Sequence, residues 1–326
     1  MRHGGDLGEA ERLYRAGPRP WIDLSTGINP VPYPLSPFPL EAFTRLPAPG
    51  DLRALEAAAA AAYGSPDPAT MRAVPGTEIA IHLIPRLLTP RHVVVVGPTY
   101  SSHKRAWRAA GHRVASVKAL SEADADVVVV ANPNNPDGRS YSAVELVRTA
   151  GALARRGGLL VVDEAFIDLT GEESLIPRRP EAAVVLRSFG KAYGHAGIRL
   201  GFVAGPVEIL DGLDGMLGSW PVSGPALAVG KEALTDHAWR SRATRDRAAD
   251  AERLDALLLE WADAPIVGTS LFRLLRTPQA PELHRALAAR GIWTRSFSEN
   301  PTWLRFGLPR DEAEWRRLEE ALQSLR

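Results

Sequence analysis

The strongest constraint on the fold is a series of short apolar runs, each separated from the next by a segment long enough to form a helix. Val127–Ala131 and Leu159–Asp163 are the clearest of these runs. Apolar runs of this length predict strands that are buried on both faces, and helix-length connections predict that those strands are parallel. The sequence therefore predicts an α/β fold in which helices cover both faces of a mostly parallel sheet.

Periodicity and capping residues predict the remaining elements. In the first two thirds of the chain the predicted helices are 51–63, 77–88, 101–110 and 142–156, and the further predicted strands are 92–96, 114–117, 184–186 and 199–204. In the last third the predicted helices are 225–261, 282–290 and 311–324, and the predicted strands are 270–275, 292–295 and 303–306. The change of pattern near residue 206 predicts a smaller C-terminal α+β domain.

We therefore predict three parts of the chain: an N-terminal arm at 1–45, a large domain at 46–210 and a small C-terminal domain at 211–326, with a helical linker at about 206–262. Prolines recur between Pro30 and Pro49. Each proline fixes φ and removes a hydrogen-bond donor, so the first fifty residues predict an extended arm without helix. The apolar side chains of Trp21, Ile22 and Leu24 indicate that this arm is ordered.

Composition excludes several classes of function. The chain contains no cysteine, which excludes disulfides, thiolate metal sites and cysteine nucleophiles and favours a cytoplasmic protein. The formal net charge of +1 gives no sign of a nucleic-acid partner or a membrane surface. The longest apolar runs have the length of strands and are too short to cross a bilayer.

Two polar segments follow predicted strands, where ligands bind in open α/β sheets. Ala131–Gly138 contains Asn-Pro-Asp-Gly, which is typical of a turn and also of a ligand-binding loop. Asp163 ends an apolar strand, where a carboxylate is costly unless it has a partner. That partner is either a metal ion, which needs further ligands, or the protonated ring nitrogen of an electron-sink cofactor.

Two further segments carry groups that suit a phosphorylated carbonyl compound. Lys191 lies in a glycine- and serine-containing loop after a strand; it is either a surface lysine or a shielded amine that forms imines. Ser188 and Arg199 flank it and are natural phosphate ligands. The segment Gly76–Glu78 opens a predicted helix, where free backbone N–H groups bind phosphate.

In this order the segments resemble those of the pyridoxal-5′-phosphate (PLP) enzymes of fold type I, the class I and II aminotransferases. The resemblance extends from about residue 20 to the end of the chain and is most specific at 188–201. It implies a large PLP-binding domain, a small C-terminal α+β domain and a homodimer. It also implies that no metal ion is needed.

The resemblance implies a role for each matching residue. Lys191 would hold PLP as a Schiff base and move protons. Asp163 would pair with the pyridine nitrogen, Asn135 would donate to the ring hydroxyl, and Tyr100 would stack on the ring. The phosphate-binding residues would be Gly76, Thr77, Glu78, Ser188 and Arg199.

Arg305, in Trp303-Leu-Arg-Phe306, matches the arginine that binds the substrate carboxylate in this family. A bidentate arginine–carboxylate pair orients a substrate as well as binding it. The alternative for Arg305 is an arginine on a strand surface. Two positions depart from the common pattern: Phe166 replaces a tyrosine that donates to the ring hydroxyl, and Gly190 replaces a serine that binds phosphate.

Several segments favour one branch of the family. The segments are 3–6, which reads His-Gly-Gly-Asp, and 23–30, 163–168, 186–188, 220–223 and 292–297. They resemble the L-threonine-O-3-phosphate decarboxylases of cobalamin biosynthesis, which share the phenylalanine found here at 166. This resemblance implies a carboxy-lyase that converts L-threonine O-3-phosphate into (R)-1-amino-2-propanol O-2-phosphate.

A phosphorylated amino-acid substrate needs two anion sites besides the cofactor phosphate. Arg305 would bind its carboxylate. Arg295 and His3 are candidates for its phosphate, Gly27 offers a backbone N–H, and Asn135 also lies among the candidates for substrate contact. Arg295 could instead be a salt-bridged surface residue, and His3 a terminal residue without a role.

Two other functions stay open at this point. Histidinol-phosphate aminotransferases form the sister branch, but they usually carry tyrosine at the position of Phe166 and lack the His-Gly-Gly start. A non-catalytic PLP-binding sensor of the transcription-regulator type would need an N-terminal DNA-binding module, for which the arm is too short and too rich in proline.

Overall fold

The computed structural model describes residues 4–15, 17–178 and 180–325. Within these ranges the helices are α1 (Leu7–Leu13), α2 (Glu41–Thr44), α3 (Pro49–Tyr63), α4 (Thr77–Leu83), α5 (Ser101–Ala109), α6 (Ala143–Ala154), α7 (Phe189–Ala192), α8 (Val207–Leu217), α9 (Gly224–Thr235), α10 (His237–Leu258), α11 (Ala280–Ala289) and α12 (Glu312–Gln323). The strands are β1 (Ile22–Asp23), β2 (Met71–Val74), β3 (His92–Val96), β4 (Arg113–Val117), β5 (Val127–Ala131), β6 (Leu159–Asp163), β7 (Ala183–Ser188), β8 (Gly201–Ala204), β9 (Val267–Thr269), β10 (Phe272–Arg276), β11 (Ile292–Trp293), β12 (Arg295–Ser296) and β13 (Trp303–Gly307).

The chain divides into two compact units. The unit that we call the sheet unit contains 32–135 and 139–241. The unit that we call the terminal unit contains 1–31, 136–138 and 242–326. These compact units do not correspond to the predicted arm, large domain and small domain. That predicted division, which concerns the roles of the parts, stays a prediction.

The sheet unit is built on a seven-stranded sheet of the order β2-β8-β7-β6-β5-β3-β4 in the described residues. Strands β3 to β7 are parallel to one another, whereas β8 is antiparallel to β7 and β2 is antiparallel to β8. This confirms the predicted α/β architecture with a mostly parallel sheet. Because β3, β5, β6 and β7 run the same way, the loops that follow them emerge at one edge.

Alternate valines of these strands form the core on one face of the sheet. Val127 and Val129 of β5 pack in the same cluster as Val161 of β6, which follows from the two-residue period of a strand. Trp107 of α5 and Leu210 of α8 complete the cluster, and both are almost fully buried. Burial of each such side chain contributes about 1.5–3 kcal/mol relative to leaving it in water.

The terminal unit contains an antiparallel sheet of the order β12-β13-β10-β9 and a parallel pair of β1 with β11. Leu304 and Phe306 of β13 are fully buried against Leu318 of α12. Ile22 and Leu24 belong to the same core, so the segment around β1 is part of this unit. The ordered arm is therefore confirmed at these anchors.

Most predicted elements are confirmed, and β3, β5 and β6 have the predicted limits. The prediction that the first fifty residues lack helix was wrong. Helix α1 forms at 7–13, where there is no proline, and Asp6 caps it by accepting a 2.8 Å hydrogen bond from the Glu9 N–H. Helix α2 forms at 41–44 in a gap between prolines.

Two strand predictions were also wrong in detail. The strand predicted at 199–204 begins at Gly201, because Arg199 has a left-handed φ of 54° that cannot continue a strand. The strand predicted at 292–295 is two strands: β11 pairs with β1, and β12 pairs with β13. No helix in the described ranges is both long enough and apolar enough to cross a bilayer.

Candidate active site

Asp163 is the last residue of β6 and is paired in register with Ala131 of β5 and Leu186 of β7. Its side chain is buried, with Oδ2 at 2.9 Å from Nε2 of His103. Its Oδ1 accepts a 3.1 Å hydrogen bond from the Ala165 N–H. Both oxygens are thus held in place, which meets the requirement that a buried carboxylate has partners.

His103 was not predicted from the sequence as a residue of the site. It is 1% exposed on α5, and its ring meets the ring of Tyr100 edge-on at 6.2 Å between centroids. The Tyr100 hydroxyl in turn donates a 3.0 Å hydrogen bond to the Glu78 carboxylate. The sequence signal that could have identified His103 is its spacing of three residues from Tyr100, which places both side chains on one helix face. Its contact with Asp163, sixty residues away, has no sequence signature.

Lys191 lies on the short helix α7 and not in the predicted loop. The rings of Phe189 and Tyr193, two residues to either side, stack on each other at 4.3 Å between centroids. Tyr193 also stacks on Trp239 at 5.3 Å, which fixes the turn that carries the lysine. Nζ of Lys191 lies 5.5 Å from the ring centroid of Phe166.

The predicted phosphate-binding residues lie together. Gly76 precedes α4 with φ at 82°, and a Cβ at this position would lie 2.6 Å from the guanidinium of Arg199. A Cβ at Gly201 would lie 2.8 Å from the backbone nitrogen of Thr77, and Gly201 is in register with Ser188. The two glycines therefore allow the guanidinium of Arg199 and the start of β8, which is paired with Ser188, to approach the first turn of α4, whose N–H groups are available to a ligand.

Asn135 is half-buried in the turn that follows β5. The turn is held by the Asn132 N–H, which donates to the Asp163 carbonyl at 2.9 Å, and by the Asn134 side chain, which donates to the Pro98 carbonyl at 2.9 Å. The segment is thus a turn, as one reading of the sequence predicts. The turn places Asn132, three residues before Asn135, against the strand end that carries Asp163.

Gly190 departs from the common pattern for a steric reason. A Cβ at this position would lie 2.8 Å from the Cα of Ala196, a backbone atom that cannot rotate away. The turn that carries Lys191 therefore packs directly on the segment before Arg199. A serine at position 190 would require the two segments to separate.

The residues of the sheet unit fit PLP. They supply a primary amine for its aldehyde at Lys191 and a firmly held carboxylate for its ring nitrogen at Asp163. An arginine and backbone N–H groups converge at Gly76, in a space that a side chain would fill, and suit its phosphate. This donor set favours the cofactor over a metal ion as the partner of Asp163, the choice that the sequence left open.

Two arginines of the terminal unit face each other across neighbouring strands. Arg295 of β12 is directly opposite Arg305 of β13. Arg305 is 6% exposed, donates a 2.8 Å hydrogen bond to the Ser25 carbonyl and lies 5.0 Å from the ring centroid of Phe272. Burial lowers the pKa of Arg305, Arg295 lowers it further, and Asp23 opposes the change. Like charges at facing positions are unfavourable, so this arrangement suits an anionic ligand.

The other predicted substrate-binding residues are less defined. Gly27 is buried in the segment after β1, two residues beyond Ser25. His3 lies outside the described residues. The structure thus groups the predicted PLP-binding residues in the sheet unit and groups Gly27, Arg295 and Arg305 in the terminal unit.

The comparisons with known proteins agree on one family. The family model of the class I and II aminotransferases matches residues 41–322. A threonine-phosphate decarboxylase of Pseudomonas aeruginosa is 44% identical over 99% of this chain and 97% of that protein, and one of a Sinorhizobium species is 42% identical over 98% and 97%. A histidinol-phosphate aminotransferase of a Nostoc species is 30% identical over 58% of this chain and 53% of that protein.

Solved structures confirm the fold. An L-threonine-O-3-phosphate decarboxylase from Porphyromonas gingivalis superimposes with a TM-score of 0.79 at 21% identity, covering 93% of this chain and 99% of that one. A histidinol-phosphate aminotransferase from Sinorhizobium meliloti in complex with pyridoxal-5′-phosphate gives a TM-score of 0.81 at 20% identity, covering 100% and 96%. At these identities the likeness is one of fold alone.

We predict that His103→Phe weakens the binding of PLP without unfolding the protein. The change keeps an aromatic ring of similar size but leaves Oδ2 of Asp163 without its hydrogen-bond donor. By analogy with the partners of metal ligands, we expect the affinity to fall about 10–100-fold. Titration of apoprotein with PLP, followed by absorbance, measures it; an unchanged affinity would show that His103 does not hold the carboxylate.

We predict that Gly190→Ser also impairs PLP binding, because the new Cβ would force the segment at Ala196 away from the turn of Lys191. The matched control is Gly197→Ala in the same region, where an added Cβ meets no atom within 4 Å. We expect the control to bind PLP like the parent protein in the same titration. Equal binding by all three proteins would contradict the steric argument.

Proposed function

The chain belongs to the family of class I and II aminotransferases, and we propose that within it the protein is a PLP-dependent decarboxylase of L-threonine O-3-phosphate. The level of sequence identity supports this choice of branch. The two decarboxylase relatives match at 42–44% identity over nearly their whole length. Histidinol-phosphate aminotransferases match at only 26–30% identity.

The observation that carries the proposal is the pair of facing arginines, Arg295 and Arg305. L-Threonine O-3-phosphate has a carboxylate and a phosphate, and two neighbouring guanidinium groups match those two anions. Histidinol phosphate has a phosphate but no carboxylate, so it matches only one of them. We assign Arg305 to the carboxylate, because its buried planar group suits bidentate binding, and Arg295, with His3 and Gly27, to the phosphate.

When bound, PLP supplies an electron sink for the pair of electrons that is left when CO₂ departs. Asp163, fixed by His103, would keep the ring nitrogen protonated. Lys191 would hold the cofactor before the substrate amine displaces it, and its Nζ would then return a proton to Cα. The hold of Arg305 on the carboxylate would decide that the bond to CO₂ is the one that breaks.

The remaining cofactor contacts are assigned to the residues that the family resemblance predicts. We assign the phosphate of PLP to Gly76, Thr77, Glu78, Ser188 and Arg199. Tyr100 would lie against the ring; burial raises the pKa of Tyr100, with Glu78 adding to the effect, so its hydroxyl stays protonated. Asn135 would donate to the ring hydroxyl. The product would be (R)-1-amino-2-propanol O-2-phosphate, the linker of the corrin nucleotide loop in cobalamin.

We also propose that the protein acts as a homodimer in the cytoplasm. Large apolar side chains are exposed at Leu40, Phe43 and Leu46, where 65–72% of each is accessible. Exposed large apolar side chains that lie close together in the sequence favour an interface. The division into an arm at 1–45, a PLP-binding domain at 46–210 and a small domain at 211–326 remains part of the proposal.

We predict that the protein purified with PLP releases CO₂ continuously from L-threonine O-3-phosphate while its visible absorbance band is retained. Lys191→Ala should abolish turnover. The measurement is CO₂ release recorded together with the absorbance of the cofactor. An absence of CO₂, together with conversion of the cofactor into its amine form by histidinol phosphate, would support the aminotransferase alternative.

We further predict that Arg305→Met lowers kcat/KM for this substrate about 10–150-fold, because a hydrogen-bonded charge pair contributes about 1.5–3 kcal/mol. The matched control is Arg253→Met, which removes another arginine of the terminal unit whose partner, Glu312, is exposed. We expect the control to keep the parent kcat/KM. A similar loss in both variants would indicate a general effect on folding.

A further inference from the structure

Three buried charged side chains of the sheet unit have no part in the proposed chemistry. Arg187 of β7 lies between the carboxylates of Glu164 and Asp168, both of which follow β6. The three side chains are 5%, 0% and 2% exposed, respectively. Nη1 of Arg187 is 3.1 Å from Glu164, and Nη2 donates to Asp168.

Further contacts hold this group in place. Oε2 of Glu164 accepts a 2.6 Å hydrogen bond from the Ser174 hydroxyl, and Oε1 accepts one of 2.7 Å from the Leu175 N–H. The guanidinium of Arg187 lies 4.1 Å from the ring centroid of Tyr63. Burial by itself would lower the pKa of Arg187, but the two carboxylates raise it above its ordinary value, so the group is charged.

The positions of these residues connect them to the cofactor site. Glu164 directly follows Asp163, and its N–H donates to the Leu186 carbonyl at 2.9 Å. Arg187 directly precedes Ser188, which leads into the turn of Lys191. Glu164 and Asp168 lie two residues to either side of Phe166, whose ring lies against Nζ of Lys191.

Stability does not account for such a group. Taking three charges out of water is costly, and replacing a buried ion pair by uncharged residues of similar volume is often neutral or stabilising. What the ion pairs do provide is a fixed position of β7 relative to the segment that follows β6, because the planar guanidinium contacts both carboxylates at once. Here the ion pairs connect the residues next to two predicted cofactor contacts, Asp163 and Ser188.

We propose that Glu164, Arg187 and Asp168 form a positioning clamp that holds Asp163, Phe166 and Ser188 in their places around the cofactor. The three clamp residues do not contact PLP themselves; they act through their chain neighbours. The inference rests on the PLP binding of the proposed function but not on its substrate. A parent protein that binds PLP and releases no CO₂ would disprove the decarboxylase and leave the clamp testable.

The test compares Arg187→Met, Arg187→Lys and the neutral triple variant Glu164→Gln, Arg187→Met, Asp168→Asn. Two properties are measured for each: thermal unfolding of the apoprotein, and the affinity for PLP by absorbance titration. The pH midpoint of the visible band of the holoprotein gives a third readout. Arg273→Met is the matched control, since Arg273 is held by two contacts of 2.7 Å to Asp255 in the terminal unit.

We expect Arg187→Met to lower the unfolding temperature, because it leaves two buried carboxylates without their cation. The triple variant should regain most of that loss but still bind PLP about 10–100-fold more weakly, with a shifted pH midpoint. Arg187→Lys should unfold near the parent temperature and still bind more weakly, since an ammonium group cannot bridge both carboxylates in one plane.

The control should lose stability without any change in PLP affinity or pH midpoint. The clamp is disproved if the triple variant and Arg187→Lys bind PLP with the parent affinity and midpoint, because the network would then serve folding alone. If Arg187→Met does not fold, these two variants still decide the question. Equal weakening in Arg273→Met would also overturn the proposal.

Discussion

The site depends on the parallel pairing of β5, β6 and β7. This pairing places Ala131, Asp163 and Leu186 in register, so the loops that follow them emerge side by side. One loop carries Asn135 and another leads to Lys191, although these residues are more than fifty positions apart in the sequence. The reactive groups are thus positioned by backbone hydrogen bonds that form without regard to the cofactor, and helix α5 adds only the hydrogen bond that fixes Asp163.

Buried charge is used in three different ways in this protein. Asp163 keeps its place through hydrogen bonds with a histidine ring and a backbone N–H, and no arginine or lysine among the described residues forms an ion pair with it. Arg187 is paired with two carboxylates, through Nη1 and Nη2, so its charge is neutralised within the protein. Arg305 is buried opposite another cation, an arrangement that an anion would relieve. A buried cation therefore suits an anionic ligand where a like charge faces it, and not where two carboxylates already flank it.

The sequence predicted the parallel strands because valine-rich runs of five residues have few alternatives. It singled out Asp163 and Lys191 because they lie at or after the ends of such runs, and the family resemblance added Asn135 and implied the roles of all three. It could not predict the His103–Asp163 contact or the opposition of Arg295 and Arg305, since both depend on how distant segments pair. Helix α1 was missed because the prolines of 30–49 dominated the composition of the whole arm, and the steric role of Gly190 depends on a neighbour in three dimensions.

The fold alone cannot decide which reaction this protein catalyses. Solved structures of a decarboxylase and of an aminotransferase superimpose on the chain almost equally well, with TM-scores of 0.79 and 0.81. Residues that bind the cofactor cannot decide it either, since both classes of enzyme use the same electron sink. The choice must therefore depend on groups that bind the substrate, because only they determine which bond at Cα is weakened. In this chain the candidates for that role are the facing arginines of the terminal unit, whose charge matches a substrate with two anionic groups.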